Sequence, residues 1–316
     1  MTAPPPVELG LTAAIVAVTG DRPLILTTRG PAGEPTRPGE AALPSGPFDA
    51  LKHRTLEIGL RGWVAEQTGA PLGYVEQLYT FGDRGRLAQA GDREPHVVSV
   101  GYLALTRASA ERGGRADPLA GFRGWYDFFP WEDFRAGRPA LLDQAMLPSL
   151  TAWAEATKGV GRRERLRFLF GVEGAPFDEE RTLERYELLY EAGLVEEARR
   201  DRRSGARPAA SLGEAMRFDH RRILATAMGR LRAKLKYRPV IFELMPAAFT
   251  LTALQRTVEA ISGRHLHKQN FRRLVESTEL VEPTGDTTHA TGGRPAALYR
   301  FRREVVAERP APGLRV

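Results

Sequence analysis

The stretch Gly292-Gly293-Arg294-Pro295-Ala296-Ala297-Leu298-Tyr299-Arg300-Phe301 decides how the last quarter of the chain is interpreted. Two glycines and a proline precede a run in which Ala297, Tyr299 and Phe301 alternate with Arg300. This alternation predicts the return strand of a β-hairpin with one apolar face. Such a hairpin is typical of the wing of a winged helix-turn-helix, although a plain hairpin packed on helices gives the same pattern.

Two helices are predicted directly before this hairpin. The first is capped by Thr250, carries apolar residues at i, i+3, i+7 and i+10 from Leu251, and ends at Gly263, which permits a left-handed turn. The second begins at about His267 and buries a stripe that includes Phe271. Helix, turn, helix and hairpin in this order favour the winged-helix interpretation over a plain hairpin.

The second helix has a polar and basic face opposite its apolar stripe. At 100° per residue, Gln269 and Arg273 point away from the stripe, and Asn270 and Arg272 flank them. Arginine suits the O6 and N7 atoms of guanine, whereas glutamine and asparagine suit the N6 and N7 atoms of adenine. Other basic groups should meet phosphate. The predicted DNA-binding residues are Lys268, Gln269, Asn270, Arg272, Arg273 and Arg294.

The charge distribution agrees with a polyanionic partner. Residues 219–316 hold 18 lysines and arginines against 9 acidic residues, and this excess exceeds the +7 net charge of the whole chain. The basic surplus is thus confined to the segment with helix-turn-helix patterning. We expect a double-stranded DNA operator as the partner, bound by a homodimer because such sites are commonly palindromic.

The first third of the chain has an α/β pattern. A hairpin is predicted over 11–28, a helix over 54–67 with Gly69 as its C-terminal cap, and a strand over 96–106. The order lacks the regular βαβ alternation of a Rossmann fold.

Aromatic residues gather in the next segment, including Trp125, Phe128, Trp131 and Trp153, among short helical patterns. They form either a core or a base-binding pocket. A long helix is predicted over 218–236. We divide the chain into a first part of the sensor domain (1–112), a helical insert (113–208), a closing helix (209–238) and a DNA-binding domain (239–316).

Composition excludes several classes of site. The chain has no cysteine, which excludes disulfides, thiolate zinc sites and cysteine nucleophiles. His265 and His267 lack the further ligands that a metal site needs.

The sequence shows neither a signal peptide nor an apolar run long enough to span a bilayer, so we expect a cytoplasmic, nucleoid-associated protein without membrane contact.

The segment from Leu43 to Phe48, followed by the helix that ends Gly62-Trp63-Val64-Ala65-Glu66-Gln67-Thr68-Gly69, resembles a Nudix box. That loop and helix bind divalent metal in pyrophosphate hydrolases. The working motif supplies adjacent carboxylates, but here Gly62 and Trp63 replace the first pair and the last pair is Glu66 with Gln67. Because Mg²⁺ needs anionic oxygens, we expect no metal, no catalytic residue and no enzymatic activity.

A Nudix-like domain followed by a winged helix, with the segments Tyr79–Asp83, Phe218–His220, Phe249–Leu251 and Gly293–Pro295, resembles the Nudix-related transcriptional regulators of NAD metabolism. These are the NrtR and NadQ types, and the closer likeness is to the alphaproteobacterial NAD-biosynthesis repressors. The resemblance implies a Nudix-like mixed sheet with helices, a helical insert and a C-terminal winged helix-turn-helix.

In that family the Nudix-like domain senses an adenine nucleotide, and ligand binding releases operator DNA. The resemblance therefore implies NAD, ATP or ADP-ribose as effector, with no cofactor besides it. Arginines near the sheet could hold phosphates, although each is also compatible with a solvated surface residue. The predicted ligand-binding residues are Arg29, Phe48, Arg54, Glu66, Phe81, Arg84 and Arg86.

Two other functions remain open from the sequence. Glu57, Glu66 and Glu76 could rebuild a metal site, which would make the chain an active Nudix hydrolase with an appended DNA-binding domain. Alternatively, the chain is a structural nucleic-acid-binding protein without an effector. Turnover of ADP-ribose or NADH with Mg²⁺ distinguishes the first alternative, and a nucleotide-independent mobility shift distinguishes the second.

Overall fold

A computed structural model of the chain describes residues 7–28, 40–83, 96–108, 120–156, 161–201, 211–289 and 295–304. The strands are β1 (Val7–Thr19), β2 (Arg22–Thr27), β3 (Ser45–Pro47), β4 (Val75–Phe81), β5 (His96–Leu105), β6 (Gly121–Gly124), β7 (Val281–Thr288) and β8 (Ala296–Phe301). The α-helices are α1 (Leu56–Thr68), α2 (Trp125–Phe128), α3 (Leu147–Glu155), α4 (Arg162–Phe170), α5 (Thr182–Glu191), α6 (Glu196–Arg200), α7 (His220–Leu235), α8 (Leu251–Ser262) and α9 (Lys268–Thr278).

Six strands form a mixed sheet in the order β4-β5-β1-β2-β6, and β3 pairs with β1. Strands β1 and β5 run parallel, whereas the other pairs are antiparallel. The predicted hairpin is confirmed as β1 and β2, joined at Gly20, whose φ of 63° suits glycine. The α/β class predicted from the sequence is therefore confirmed.

Helices cover the two faces of this sheet. Leu11, Ala13 and Ile15 of β1 face α1, where they meet Leu60 and Val64. The residues between them on β1 face the other side, which α7 and α8 cover. Alternation along β1 thus places one apolar set under each helical layer.

The aromatic-rich segment forms core. Trp125, Phe128, Phe129 and Trp131 are fully buried, so these four rings do not form the alternative base-binding pocket. Strand β6, which lies within the segment suggested as a helical insert, pairs with β2 and completes the sheet. The insert boundary at 113 is therefore not where the sheet ends.

The C-terminal elements form the predicted helix-turn-helix and hairpin. The Thr250 hydroxyl accepts a hydrogen bond from the Ala253 amide, and α8 ends at Gly263 with φ of 72°. Strands β7 and β8 pair antiparallel, and Phe249 exchanges two backbone hydrogen bonds with Tyr299 of β8. Helix α8 also packs on β1 and β2, which joins this unit to the main sheet.

Within the residues that the structure describes, none of the helices is long and apolar enough to cross a bilayer.

Candidate DNA interface and nucleotide site

Helix α9 presents a polar face to solvent. Phe271 and Val275 are buried against the rest of the winged helix. The five predicted side chains on the helix are all exposed: Lys268, Gln269, Asn270, Arg272 and Arg273. The angular argument from the sequence therefore places these residues on the accessible side of α9, where a DNA groove could reach them.

A groove of about 850 Å³ separates α9 from the start of α8 and from β8. Arg256 of α8 and Lys268 and Arg272 of α9 line it, together with Tyr299. Arg256 is exposed and was absent from the predicted DNA-binding residues. Its position opposite the buried residues of α8 is the signal that could have identified it. Glu276 also lines the groove, so three cations face one acid there, and this balance suits a phosphate backbone.

One arginine in the described part of the wing is paired with an acid. The Arg300 Nε lies 2.6 Å from the Glu282 Oε1 on the paired strand. The predicted contact residue Arg294 lies outside the described residues. Arg302 donates to the Glu279 carbonyl oxygen across 3.3 Å.

The histidine pair before α9 has separate surroundings. His265 lies 3.3 Å from the Glu259 carboxylate, and His267 is the N-terminal cap residue of α9. Across the described residues there is no group of three or more histidine, cysteine, aspartate or glutamate side chains that could hold a metal ion.

Two side chains of α1 bond to strand β3, at positions where the Nudix motif requires carboxylates. The Gln67 amide donates to the Ser45 carbonyl oxygen across 2.6 Å and accepts from the Ser45 amide across 3.1 Å. The Trp63 indole donates to the Pro47 carbonyl oxygen across 2.9 Å. A Cβ on Gly46 would come within 2.4 Å of the Trp63 ring. These positions hold hydrogen-bond donors and a ring rather than anions.

The three acids of the hydrolase alternative do not converge. Glu57 is bonded to Arg61 at 2.9 Å. Glu76 lies on β4, 3.1 Å from the Lys234 Nζ. Glu66 is exposed near the end of α1. Because no such group of acids that could hold a metal ion occurs among the described residues, these three carboxylates do not fit a Nudix magnesium site.

The predicted effector residues are only partly brought together. Phe48 is half-buried, with its ring centroid 5.8 Å from that of His53, which lies 6.3 Å from that of Trp63. Arg54 is exposed just before α1. At 1.5 Å per residue, Glu66 is roughly 15 Å along the helix axis from Leu56, where α1 begins. One effector phosphate therefore cannot touch both.

The prediction that Phe81 contacts the effector does not agree with the structure. Phe81 is 1% exposed, and its ring lies under the Arg222 guanidinium at 5.3 Å. Its side chain belongs to the core, so direct contact with an effector is not supported. Arg29, Arg84 and Arg86 lie outside the described residues. His53 was not singled out in the sequence, and no local pattern marks it.

Comparisons with known proteins agree with both halves of the fold. Residues 241–301 match the family model described as the NrtR DNA-binding winged helix domain. The chain is 45% identical over 84 residues, or 27% of its length, to the ADPR responsive transcriptional repressor NtrR of Acinetobacter baylyi. That match spans about a third of the relative, 33% of its length.

Two solved structures are similar over nearly the whole chain. NrtR of Shewanella oneidensis in complex with a 27mer DNA has a TM-score of 0.55 at 20% identity, with 95% of each chain covered. A MutT/nudix family protein from Enterococcus faecalis has a TM-score of 0.53 at 16% identity, with 96% of this chain and 89% of that chain covered. At these identities the likeness concerns the fold.

The chain thus has the fold seen in NrtR of Shewanella oneidensis, a Nudix-like part followed by a winged helix, and its residues 241–301 match the NrtR DNA-binding winged helix domain.

Proposed function

We propose that the chain is a transcriptional repressor of NAD biosynthesis genes, which binds operator DNA as a homodimer and responds to an adenine nucleotide. The observation that carries the proposal is the exposed face of α9, where Gln269 and Arg273 lie opposite the buried Phe271. That face lies within the segment that matches a DNA-binding domain.

Operator binding follows from this surface. Side chains with paired donors and acceptors on α9 suit base edges in a major groove. Arg256 and Lys268 flank the groove beside α8 and would neutralise phosphates, which orients α9 without reading sequence. The two-fold symmetry of a dimer would present two such helices to a palindromic site.

ADP-ribose is the effector that we favour over NAD and ATP. The relative in Acinetobacter baylyi is named for its response to this nucleotide. In the present chain, Phe48 offers an accessible ring for the adenine, beside His53. Arg54, exposed before α1, could contact a phosphate.

The Nudix-like part would bind its nucleotide without cleaving it. Gln67 and Trp63 are engaged with backbone carbonyl oxygens, so they supply no anionic oxygen for Mg²⁺. The DNA response then follows from linkage. A nucleotide that prefers the form unable to bind DNA lowers operator affinity by the ratio of its two affinities, and DNA lowers nucleotide affinity equally.

The proposal is tested first with DNA. Duplexes selected from a random library by the purified chain would be used in mobility shifts with and without ADP-ribose, NAD or ATP. We expect a preferred palindromic duplex whose binding is weakened by ADP-ribose. Binding that no nucleotide alters would favour a structural nucleic-acid-binding protein, and Mg²⁺-dependent cleavage of ADP-ribose would favour the hydrolase.

The nucleotide site is tested separately by thermal shift. A ligand at a hundred times its dissociation constant adds about 2.7 kcal/mol of stability. Phe48→Ala should reduce the ADP-ribose shift, whereas Phe168→Ala, at a 43% exposed phenylalanine of α4, should not. Equal shifts in the two variants would contradict the placement of the site beside Phe48.

A further inference from the structure

We propose that Arg232 is a positioning residue, which holds the turn between α8 and α9 at the angle that operator binding requires. Its guanidinium joins helix α7 to the end of α8 through a buried network of Glu132, Arg185 and Arg232, called here the Glu132 network. The inference rests on the proposed function for one of its two measurements.

Arg232 lies near the end of α7 and is only 2% exposed. Its Nε donates to the Ile261 carbonyl oxygen in the last turn of α8 across 3.0 Å. Its Nη1 donates to the Glu132 Oε2 across 2.6 Å and to the Glu179 carbonyl oxygen across 3.0 Å. A single planar group thus connects three segments that are distant in sequence.

Glu132 is fixed from the other side by Arg185, which is fully buried. The Arg185 Nε and Nη2 approach the two Glu132 oxygens at 2.6 and 2.8 Å. Although burial alone raises the pKa of Glu132, the guanidinium groups of Arg185 and Arg232 hold it below its usual value. The carboxylate therefore stays charged, and the bidentate geometry leaves little freedom for the network.

The helix-turn-helix turn is docked directly on this network. The Tyr126 hydroxyl donates to the Ala260 carbonyl oxygen across 2.9 Å, and the Phe134 amide donates to the Gly263 carbonyl oxygen across 2.8 Å. A Cβ on Gly263 would lie 2.4 Å from the Glu132 carbonyl oxygen and 3.0 Å from the Arg232 Nη2. The turn and the network therefore touch without intervening space.

The contacts satisfy carbonyl groups that a helix end leaves unpaired. The last four carbonyls of a helix have no partner within it, and cations at that end interact favourably with the helix dipole. In α8, Ala260 and Ile261 receive their partners from Tyr126 and Arg232. The direction in which α8 ends, and hence the placement of α9, depends on those two side chains.

The other end of α7 lies on the Nudix-like sheet. A Cβ on Gly101 of β5 would meet Ile223 at 3.2 Å, and Arg222 covers the Phe81 ring. Ile223 and Arg232 are about 14 Å apart along the helix axis at 1.5 Å per residue. Helix α7 therefore contacts both the sheet and the turn before α9, so a displacement of the sheet would reach that turn through α7.

A buried ion pair is a poor source of net stability, because desolvation offsets most of the attraction. It is a good source of fixed geometry, since each guanidinium has one orientation that satisfies its donors. The Glu132 network thus has the fixed geometry that is needed to set the angle of α9.

Matched pairs of variants test this role. Arg232→Lys is compared with Arg221→Lys, because Arg221 is also buried on α7 but bonds to Phe128 and Glu197. Tyr126→Phe is compared with Tyr190→Phe, since the buried Tyr190 hydroxyl donates to Asp201. The two variants of each pair lose the same kind of side-chain hydrogen bond. Only the first residue of each pair, Arg232 or Tyr126, contacts the turn.

Two measurements are made on each folded variant. The first is the ratio of operator dissociation constants with and without ADP-ribose, which should fall about fivefold in Tyr126→Phe and Arg232→Lys and stay unchanged in their controls. The second is amide hydrogen exchange over residues 260–264, which should become faster in the same two variants. If Arg232→Lys does not fold, Tyr126→Phe decides.

An unchanged ratio and unchanged exchange in Tyr126→Phe would overturn the role of the network. If the wild-type protein shows no operator binding or no ADP-ribose response, the proposed function fails instead. In that case the exchange measurement alone decides whether Arg232 and Tyr126 hold the turn.

Discussion

The Gln67 side chain exchanges two hydrogen bonds with the backbone of Ser45, one accepted across 3.1 Å and one donated across 2.6 Å. An ionised carboxylate at this position could accept the first bond but could not donate the second. The position at which the Nudix motif requires a glutamate therefore fastens α1 to β3 in this chain.

Restoring the motif acid should destabilise the protein. In Gln67→Glu, a carboxylate oxygen would face the Ser45 carbonyl oxygen, so we expect a loss of about 1–3 kcal/mol in the free energy of unfolding. Urea unfolding measures the change. Glu66→Gln, at the exposed neighbour, is the control and should lie within about 0.5 kcal/mol of the wild type. A fully stable Gln67→Glu variant that cleaves ADP-ribose with Mg²⁺ would contradict this assignment.

Arg273 should contribute to sequence reading. Arg273→Ala removes an exposed guanidinium opposite the buried Phe271, so we expect operator affinity to fall by about 1–3 kcal/mol and discrimination at one base pair to relax. Fluorescence anisotropy with matched and mismatched duplexes measures both. Arg163→Ala, at an exposed arginine of α4 whose side chain is 78% accessible, should bind like the wild type. Equal losses in the two variants would point to general electrostatics.

Lys268 should act on phosphate rather than on bases. We expect a log-log salt slope of roughly −4 to −5 per subunit for the wild type, from four to six phosphate contacts. Lys268→Gln should make this slope shallower by about 1 while the preferred sequence is unchanged. Titrations at several salt concentrations measure the slope, and an unaltered slope would remove Lys268 from the phosphate contacts.

His220 should make the protein sensitive to acid. Burial, together with the nearby Arg217 and Arg200, lowers the pKa of His220 from 6.5 to about 3. Between these values the unfolded chain binds a proton that the folded chain does not, so stability is full above 6.5 and falls as the pH falls towards 3. The cost at pH 5 is about 2 kcal/mol.

The measurement compares wild type with His220→Gln, whose amide oxygen can still accept the Leu43 amide that the His220 Nδ1 accepts now. Denaturant unfolding at pH 7 and pH 5 should show a fall about 2 kcal/mol smaller in the variant. Parallel pH profiles of the two proteins would show that His220 is not the group responsible.

Local signals made much of the fold predictable. The Thr250 cap, the left-handed Gly263 and the long helix α7 were all found where the sequence placed them, because each depends on neighbours within one or two turns. The exposed face of α9 followed from the same periodicity. Contacts between segments that are distant in sequence have no comparable local sequence pattern.

Pairing of β6 with β2 and the bond from Arg232 to Glu132 join residues about 100 positions apart, and neither has a periodic signature. Phe81 was misjudged for a related reason. It lies two residues from Tyr79 on β4, and Tyr79 is 61% exposed, but the Arg222 guanidinium of α7 covers the Phe81 ring. Burial there is decided by a helix that begins at His220.

The apolar core extends without a break from Ala14 in the sheet to Val275 in α9. Cutting the chain near residue 239 would expose part of this core on both fragments. The exposed apolar surfaces would favour aggregation. Transfer of the DNA-binding domain to another sensor domain therefore requires redesign of the apolar contacts between the two domains. In a protein whose DNA-binding domain is attached only by a linker, exchange at the linker would suffice.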